Sequence, residues 1–372
     1  MARKQDKTFT EAFHFFNSPG AYKKRDQEML PDQPGSNGQY QPHVMAIFSD
    51  IDNTLNDCRL PESERLGSVG PVIPSIHTLC NRLSAPFGLA SARTWAECKH
   101  YLDTIADVSH SLFDIRGCII AQNGGVVAIP RLAWTEALTR DHAVVETTHE
   151  YIVIKLTTLS NHDIHKELLE PLKSQFSPTP PNADFTTSLV LGETDRERQA
   201  HIDQLQIMAE HQTRQDAINC TKRYGAAWFR GTLPFIGALK ELAKKSDLFE
   251  IKESGQEPDQ LEIIGKNVDK SHALLYLRQL LQPAYQARMT MWYFGDAPND
   301  SGAFHECDYS LLVGDYDSKA RQNIACPSRT WISHHPFHHA IIDATDNICK
   351  HTMNIFQKDP KKLELRIDQT RL

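Results

Sequence analysis

Val44-Met45-Ala46-Ile47-Phe48-Ser49-Asp50-Ile51-Asp52-Asn53-Thr54 is a short apolar run that stops abruptly at an acidic cluster. Consecutive apolar residues with polar ones at the carboxyl end are the pattern of a parallel strand buried on both faces. The pattern returns along the chain. Phe87-Gly88-Leu89-Ala90 is a second short strand ending at Ser91, and 117–121 (GCIIA) is a third, closed by the turn former Asn123-Gly124-Gly125. Residues 290–294 and 309–313 read as two more strands, and helical spacing predicts helices over 73–83, 94–105 and 271–281. Strands alternating with helices predict an α/β fold, a doubly wound Rossmann-like parallel sheet.

The stretch 127–264 has a different character. It holds strand-like 151–156, helical 162–175 and 195–212, a proline-rich break at 177–182, and two short strands, 248–252 and 260–264, about the turn-forming 253–259. The last pair predicts a hairpin. These elements predict an α+β cap domain inserted into a core made of 44–126 and 265–358. A flexible N-terminal extension, 1–43, and a C-terminal tail, 359–372, complete the expected organisation. A chain of 372 residues is long enough for two cores.

Composition narrows the function. A formal charge of −7 argues against a surface built for nucleic acid or an anionic membrane. No segment has the apolar length of a membrane span, and the N-terminus lacks the apolar stretch of a secretory signal. The eight cysteines are scattered without a CxxC pair, which predicts reduced, mostly buried thiols in a cytoplasmic protein and argues against a zinc site.

Asp50 and Asp52 follow the first core strand and leave it in similar directions, so the two carboxylates could share one cation and one substrate. Phosphoryl transfer needs a nucleophile, a proton donor for the leaving oxygen and positive charge on the phosphate, and such a pair with Mg²⁺ supplies several of these. On its own the pair suits an ordinary acidic turn equally well. A second acidic cluster, Gly295-Asp296-Ala297-Pro298-Asn299-Asp300, also follows an apolar strand. In a parallel sheet the two clusters share the edge where α/β proteins bind ligands. Their oxygen donors suit Mg²⁺ better than zinc. Ser91 ends a strand before a helix and could hold a phosphate oxygen or simply cap the helix. Lys270 opens a helix and, in isolation, reads as a surface charge. The run Ser333–His339 is rich in histidine, but without helix-spaced ligands or a carboxylate it reads as a loop and helix start.

An hhhhDxDxT strand, an hhhS strand, a Lys before a helix and an hhhGDxxND strand, in that order, resemble the haloacid dehalogenase superfamily of phosphatases. The resemblance covers about 43–126 and 265–335. It implies Asp50 as the nucleophile that forms an aspartyl-phosphate and Asp52 as general acid and base. Ser91 and Lys270 would hold the transferring group, and Lys266 is a rival for the lysine role. Asp296 would be a Mg²⁺ ligand with Asp300, beside Asp50 and the main-chain carbonyl of Asp52. Two positions depart from the pattern. Asn53 stands where glycine is usual, and Ser91-Ala92-Arg93 replaces Thr-Gly-Arg. An insertion between the second and third motifs resembles the large-cap members, among them Cof-like sugar phosphatases, sucrose-phosphate phosphatase and mannosyl-3-phosphoglycerate phosphatase. It implies a small phosphorylated metabolite, a sugar phosphate or phosphorylated glycoside, as substrate. Asn123, Arg93, Asn299 and Arg223, the last in a basic stretch (TKRY, 221–224), are the expected substrate contacts. That stretch equally suits a solvated cap surface. A phosphomutase of the same superfamily and a non-catalytic phosphate-binding protein of this fold are the alternatives; oligomeric state stays open.

Overall fold

A computed structural model describes residues 43–107, 114–131, 144–172, 226–230, 233–252, 260–285, 288–314 and 329–357. At its centre β1 (His43–Ser49) pairs in parallel with β2 (Phe87–Ala90) on one side and β10 (Arg288–Gly295) on the other. Beyond β2 lies β3 (Arg116–Ala121), and beyond β10 lie β11 (Tyr309–Leu312) and β12 (Thr330–Ile332), all parallel. The apolar run of β1 divides between two cores. Met45 and Ile47 face α1 (Ile73–Leu83), α2 (Trp95–Ala106) and α6 (His338–Gln357), while Ala46 and Phe48 face α4 (Lys270–Tyr285) and α5 (Ser301–Glu306). A strand covered on both faces has no solvent side to alternate with, which is why its sequence reads as continuous apolar residues. Each buried aliphatic or aromatic side chain of this kind contributes about 1.5–3 kcal/mol. The doubly wound α/β fold expected from the sequence is the fold observed.

The sheet is larger than expected. Among the described residues it has nine strands, because β4 (Val126–Pro130), β6 (Tyr151–Lys155) and β5 (Val144–Thr147) continue it beyond β3 in antiparallel pairing. The cap boundary expected at 127 therefore falls inside the core sheet. Val126 and Ala128 pack into one core and Val127 and Ile129 into the other, so β4 is buried on both faces like the parallel strands of the sheet. Periodicity marked 151–156 as a strand but carried no information on which sheet it joins.

The inserted segment has a sheet and a core of its own. β7 (Ala226–Arg230), β9 (Gln260–Gly265) and β8 (Phe249–Lys252) form an antiparallel sheet in that order, and the predicted hairpin is β8 with β9. Phe229, Leu261 and Ile263 pack there with Leu239 of α3 (Leu233–Lys245) and with Ile164 and Leu168. The helical stretch expected from 162 is a run of short turns of changing pitch over Asn161–Leu172. The expected helix at 195–212, the break at 177–182, and most or all of both terminal extensions lie outside the described residues. No helix among the described residues is long and apolar enough to cross a membrane.

Two connections join cap to core, and they touch. Leu156 N donates to Gly125 O at 2.9 Å, and Gly265 lies so close to Thr157 that a Cβ there would overlap the threonine hydroxyl. Beside them Gln122, Asn123 and Gly124 all take positive φ, at 52°, 51° and 97°. At Gly124 a Cβ would also overlap the Asp269 carbonyl. Gly124→Ala therefore meets both backbone strain and a clash, and we expect it to lower the unfolding free energy by about 1–3 kcal/mol. Urea unfolding reads this directly; a change within experimental error would refute the packing described.

Candidate active site

β1 is the strand from which the chain runs outward in both directions, and the carboxyl ends of β1, β2, β3 and β10 meet at one edge. Such a switch point is the usual ligand crevice of an open α/β sheet. Asp50 follows β1, Ser91 follows β2, Asn123 follows β3 and Asp296 follows β10. Asp50 N donates to Phe294 O at 2.8 Å, which locks the two acidic strand ends side by side.

Lys270 stands at the centre of the cluster. Only 1 % of it is exposed, and its Nζ lies 2.9 Å from Asp50 Oδ2 and 2.7 Å from Asp300 Oδ1. Asp300 is itself fixed on every side. Oδ1 also accepts from the Tyr293 hydroxyl at 2.6 Å, and Oδ2 accepts from the Asp296 and Ala297 amides, each at 3.1 Å. Asp296 Oδ1 accepts from Thr54 Oγ1 at 3.1 Å. Asp50 Oδ1 accepts from Ile51 N at 2.8 Å.

Burial raises the pKa of Asp50 and of Asp296. For Asp50, Lys270 counters the burial in part, while the charges of Asp300 and Asp52 add to it. For Asp296, Asp300 and Asp50 act in the same direction as burial. Lys270 goes the other way to an ordinary buried lysine. Loss of water works against its charge, but Asp300 and then Asp50 outweigh that, and its pKa stands above the usual lysine range. One cation among three buried carboxylates leaves the cluster short of positive charge. The ligand atoms of Asp50, Asp296 and Asp300 lie within 4.8 Å of one another, and these are hard oxygen donors. The residues present fit a Mg²⁺-type cation.

Asp52 belongs to a separate network. Arg93 grips it with two hydrogen bonds, Nε to Oδ2 at 2.9 Å and Nη2 to Oδ1 at 2.8 Å, while Asn56 Nδ2 and the Cys58 thiol also donate to Oδ1, each at 3.2 Å. Loss of water would raise the Asp52 pKa, but the Arg93 charge and hydrogen bonds outweigh it and hold the carboxyl well below the usual range. Fully buried Asn56 also donates to the Tyr101 hydroxyl at 3.0 Å, anchoring the loop to α2. Asn53 sits at φ 58°, the left-handed position that glycine usually fills and asparagine tolerates, so this departure leaves the turn intact.

A family model described as haloacid dehalogenase-like hydrolase matches residues 47–326, which spans every one of these groups. The chain belongs to the haloacid dehalogenase-like hydrolase family. Solved structures are similar to the chain at low identity. A Plasmodium vivax protein described as a HAD/COF-like hydrolase aligns over 85 % of this chain and 98 % of its own, at 14 % identity and TM-score 0.50. A Bacteroides thetaiotaomicron protein analysed among phosphatases of the superfamily aligns over 87 % and 97 %, at 13 % identity and TM-score 0.47. A Synechocystis sucrose-phosphatase, solved with sucrose and phosphate, aligns over 82 % and 98 %, at 12 % identity and TM-score 0.42. No curated protein matches the chain.

In this hydrolase only some of the sequence-derived residues come together. Asp50, Asp296, Asp300 and Lys270 are brought together, with buried Ser91 on the adjacent strand end. The rival Lys266 is at the surface, paired with Asp247 at 2.8 Å. Asp52 is drawn off by Arg93, so its carboxylate is not a member of the cluster, contrary to the expected sharing of one cation by both side chains. Arg93, expected to touch substrate, is engaged with Asp52 and, at 3.4 Å, with Glu97. Asn299 is exposed beside Asp300, and Arg223 lies outside the described residues. The His334–His339 stretch is a loop followed by the start of α6, as expected. Thr54, Tyr293, Asn56 and Glu97 were not singled out by sequence. Thr54 was legible as the last letter of DxDxT, whereas Tyr293 was hidden inside an apolar strand.

Two measurements test this electrostatic arrangement. Lys270→Met would strand Asp50 and Asp300 without their counter-charge, and we expect a loss of about 3–5 kcal/mol in chemical unfolding. Carboxyls with raised folded-state pKa bind protons more tightly folded than unfolded, so without metal they subtract stability as pH rises above the ordinary carboxylate range. A bound cation reverses this. The rise in melting temperature on adding Mg²⁺ should be larger at pH 8 than at pH 5, and a pH-independent rise would contradict the cluster as its site.

Proposed function

We propose that this hydrolase is a Mg²⁺-dependent phosphatase acting on a phosphate monoester, with Asp50 as nucleophile. The observation that carries the reading is the buried Lys270 held against Asp50, within a carboxylate cluster short of positive charge. A phosphate group brings an anion to the Lys270 ammonium and an electrophile to the Asp50 carboxylate in the same place.

In the first step an Asp50 oxygen forms a bond to phosphorus while the bond from phosphorus to the leaving oxygen breaks, giving an aspartyl-phosphate. Asp52 gives its proton to the leaving oxygen, then accepts one from the water that attacks phosphorus and releases phosphate and Asp50. The grip of Arg93 keeps Asp52 ionised, so its turn as proton donor requires that grip to loosen and the carboxyl to take up a proton from solvent when substrate arrives. Ser91 and Lys270 hold the phosphoryl oxygens. Asp50 and Asp296, with the Asp52 carbonyl, would hold Mg²⁺, which supplies charge neutralisation of the phosphoryl oxygens. Asp300 serves chiefly as the acceptor that aligns Lys270 and the Asp296 turn. The leaving group is taken as a sugar or phosphorylated glycoside, the class implied by the large-cap members that the motifs resemble.

Phosphate release from a panel of phosphorylated metabolites, with and without Mg²⁺, tests the reading. Asp50→Asn should lower turnover of the best substrate at least about a thousand-fold while keeping the cooperative unfolding transition, because it removes the nucleophile and not the shape. Near-full activity of that variant would overturn the mechanism.

A further inference from the structure

Glu262 lies on the cap strand β9, only 5 % exposed, and accepts a hydrogen bond from Asn123 Nδ2 at 2.7 Å. The amide nitrogen donates and the carboxyl oxygen accepts, which fixes which end of the Asn123 amide faces Glu262. The other end, Oδ1, is buried without a partner. An unpaired buried carbonyl costs roughly 1–3 kcal/mol, which a merely structural side chain at this place would avoid.

Asn123 is the middle of the left-handed turn at the catalytic edge, and that turn touches the groups that handle the phosphate. Asn123 N donates to Ser91 O at 3.0 Å, and Gln122 N donates to Arg93 O at 2.8 Å. Gly124 packs directly on the Asp269–Lys270 backbone. The chain of contact runs from a cap carboxylate through one amide to the backbones of Ser91, Arg93 and Lys270. We propose that Glu262 is a positioning residue for the hydrolysis: through Asn123 it ties the cap sheet to the turn that sets Ser91 and Lys270 against the phosphate. This rests on the phosphatase reading above. It adds that the cap, besides covering substrate, holds the phosphate groups in register.

A charge exchange tests it. Asn123→Asp sets two carboxylates face to face and should lower kcat about 100-fold with KM for the phosphate ester nearly unchanged, because misplacement by a fraction of an ångström acts on the transition state. Glu262→Gln keeps an acceptor and should lose no more than about threefold. The double variant Asn123→Asp with Glu262→Gln restores a donor facing an acceptor and should recover most of the lost kcat. Binding of inorganic phosphate with Mg²⁺, followed by calorimetry, should fall and recover in the same order. If the double variant regains melting temperature but neither kcat nor phosphate affinity, the tie is structural and the proposal fails. If Asn123→Asp leaves kcat unchanged, it fails as well. Absence of both ester hydrolysis and phosphate binding in the unaltered protein overturns the phosphatase reading itself, and this inference with it.

Discussion

An ammonium group shut away from water between two carboxylates is the constraint on which the rest of this structure turns. Lys270 can remain charged there only because Asp300 and Asp50 approach within 3 Å. Asp300 can do so only because Tyr293 and two backbone amides hold it in one orientation. That in turn requires the tight turn after β10, where Gly295 admits the Asp300 carboxylate: a Cβ there would sit 2.6 Å from its Oδ2. The central strands bring these pieces together, since β1 and β10 pair in register from His43 with Arg288 to Ser49 with Phe294. A one-residue slip in that pairing would part Asp50 from Asp296 and turn the faces of β1 inside out.

The same cluster explains why a fold would keep a feature that works against its own stability. Carboxylates gathered in a poorly hydrated place repel one another, and burial adds to the penalty. An arrangement of this kind is kept where charge is to be met by something that arrives, a cation or an anionic group with its cation. Asp52 shows the opposite solution, a carboxylate fully matched by Arg93, Asn56 and Cys58. Two acidic residues two positions apart thus end in unlike surroundings, one short of positive charge and one saturated with it.

The sequence was most informative where local pattern determines structure. Buried parallel strands announce themselves as apolar runs, so β1, β2, β3, β10 and β11 were legible, as were α1 and α2; Thr94 with Glu97 forms a full capping box at the start of α2. Asp50, Lys270 and the acidic turn were legible because each sits at a strand or helix end. What was not legible depends on partners far along the chain. Nothing near Tyr151 says that its strand joins the core sheet rather than the cap, because that is decided by pairing with β4. Nothing near Arg93 says that its guanidinium turns to Asp52, 41 positions earlier. Glu262 is separated from Asn123 by 139 positions, and as one charged residue in a short strand it gave no sign of being buried.

The contact of Thr157 with Gly265 bears on how the chain reaches this structure. β10 must find β1 across the whole inserted segment, a long-range pairing of the kind that slows folding. If the cap closes first, its two ends are already together, and the stretch from the end of β6 to the start of β10 is shortened by the whole of 157–265. Shortening that effective loop from about 130 residues to about 25 lowers the closure entropy by roughly 1.5 kcal/mol. The narrow neck is thus also a kinetic device, letting a large insertion interrupt the core while adding little to the search that completes it.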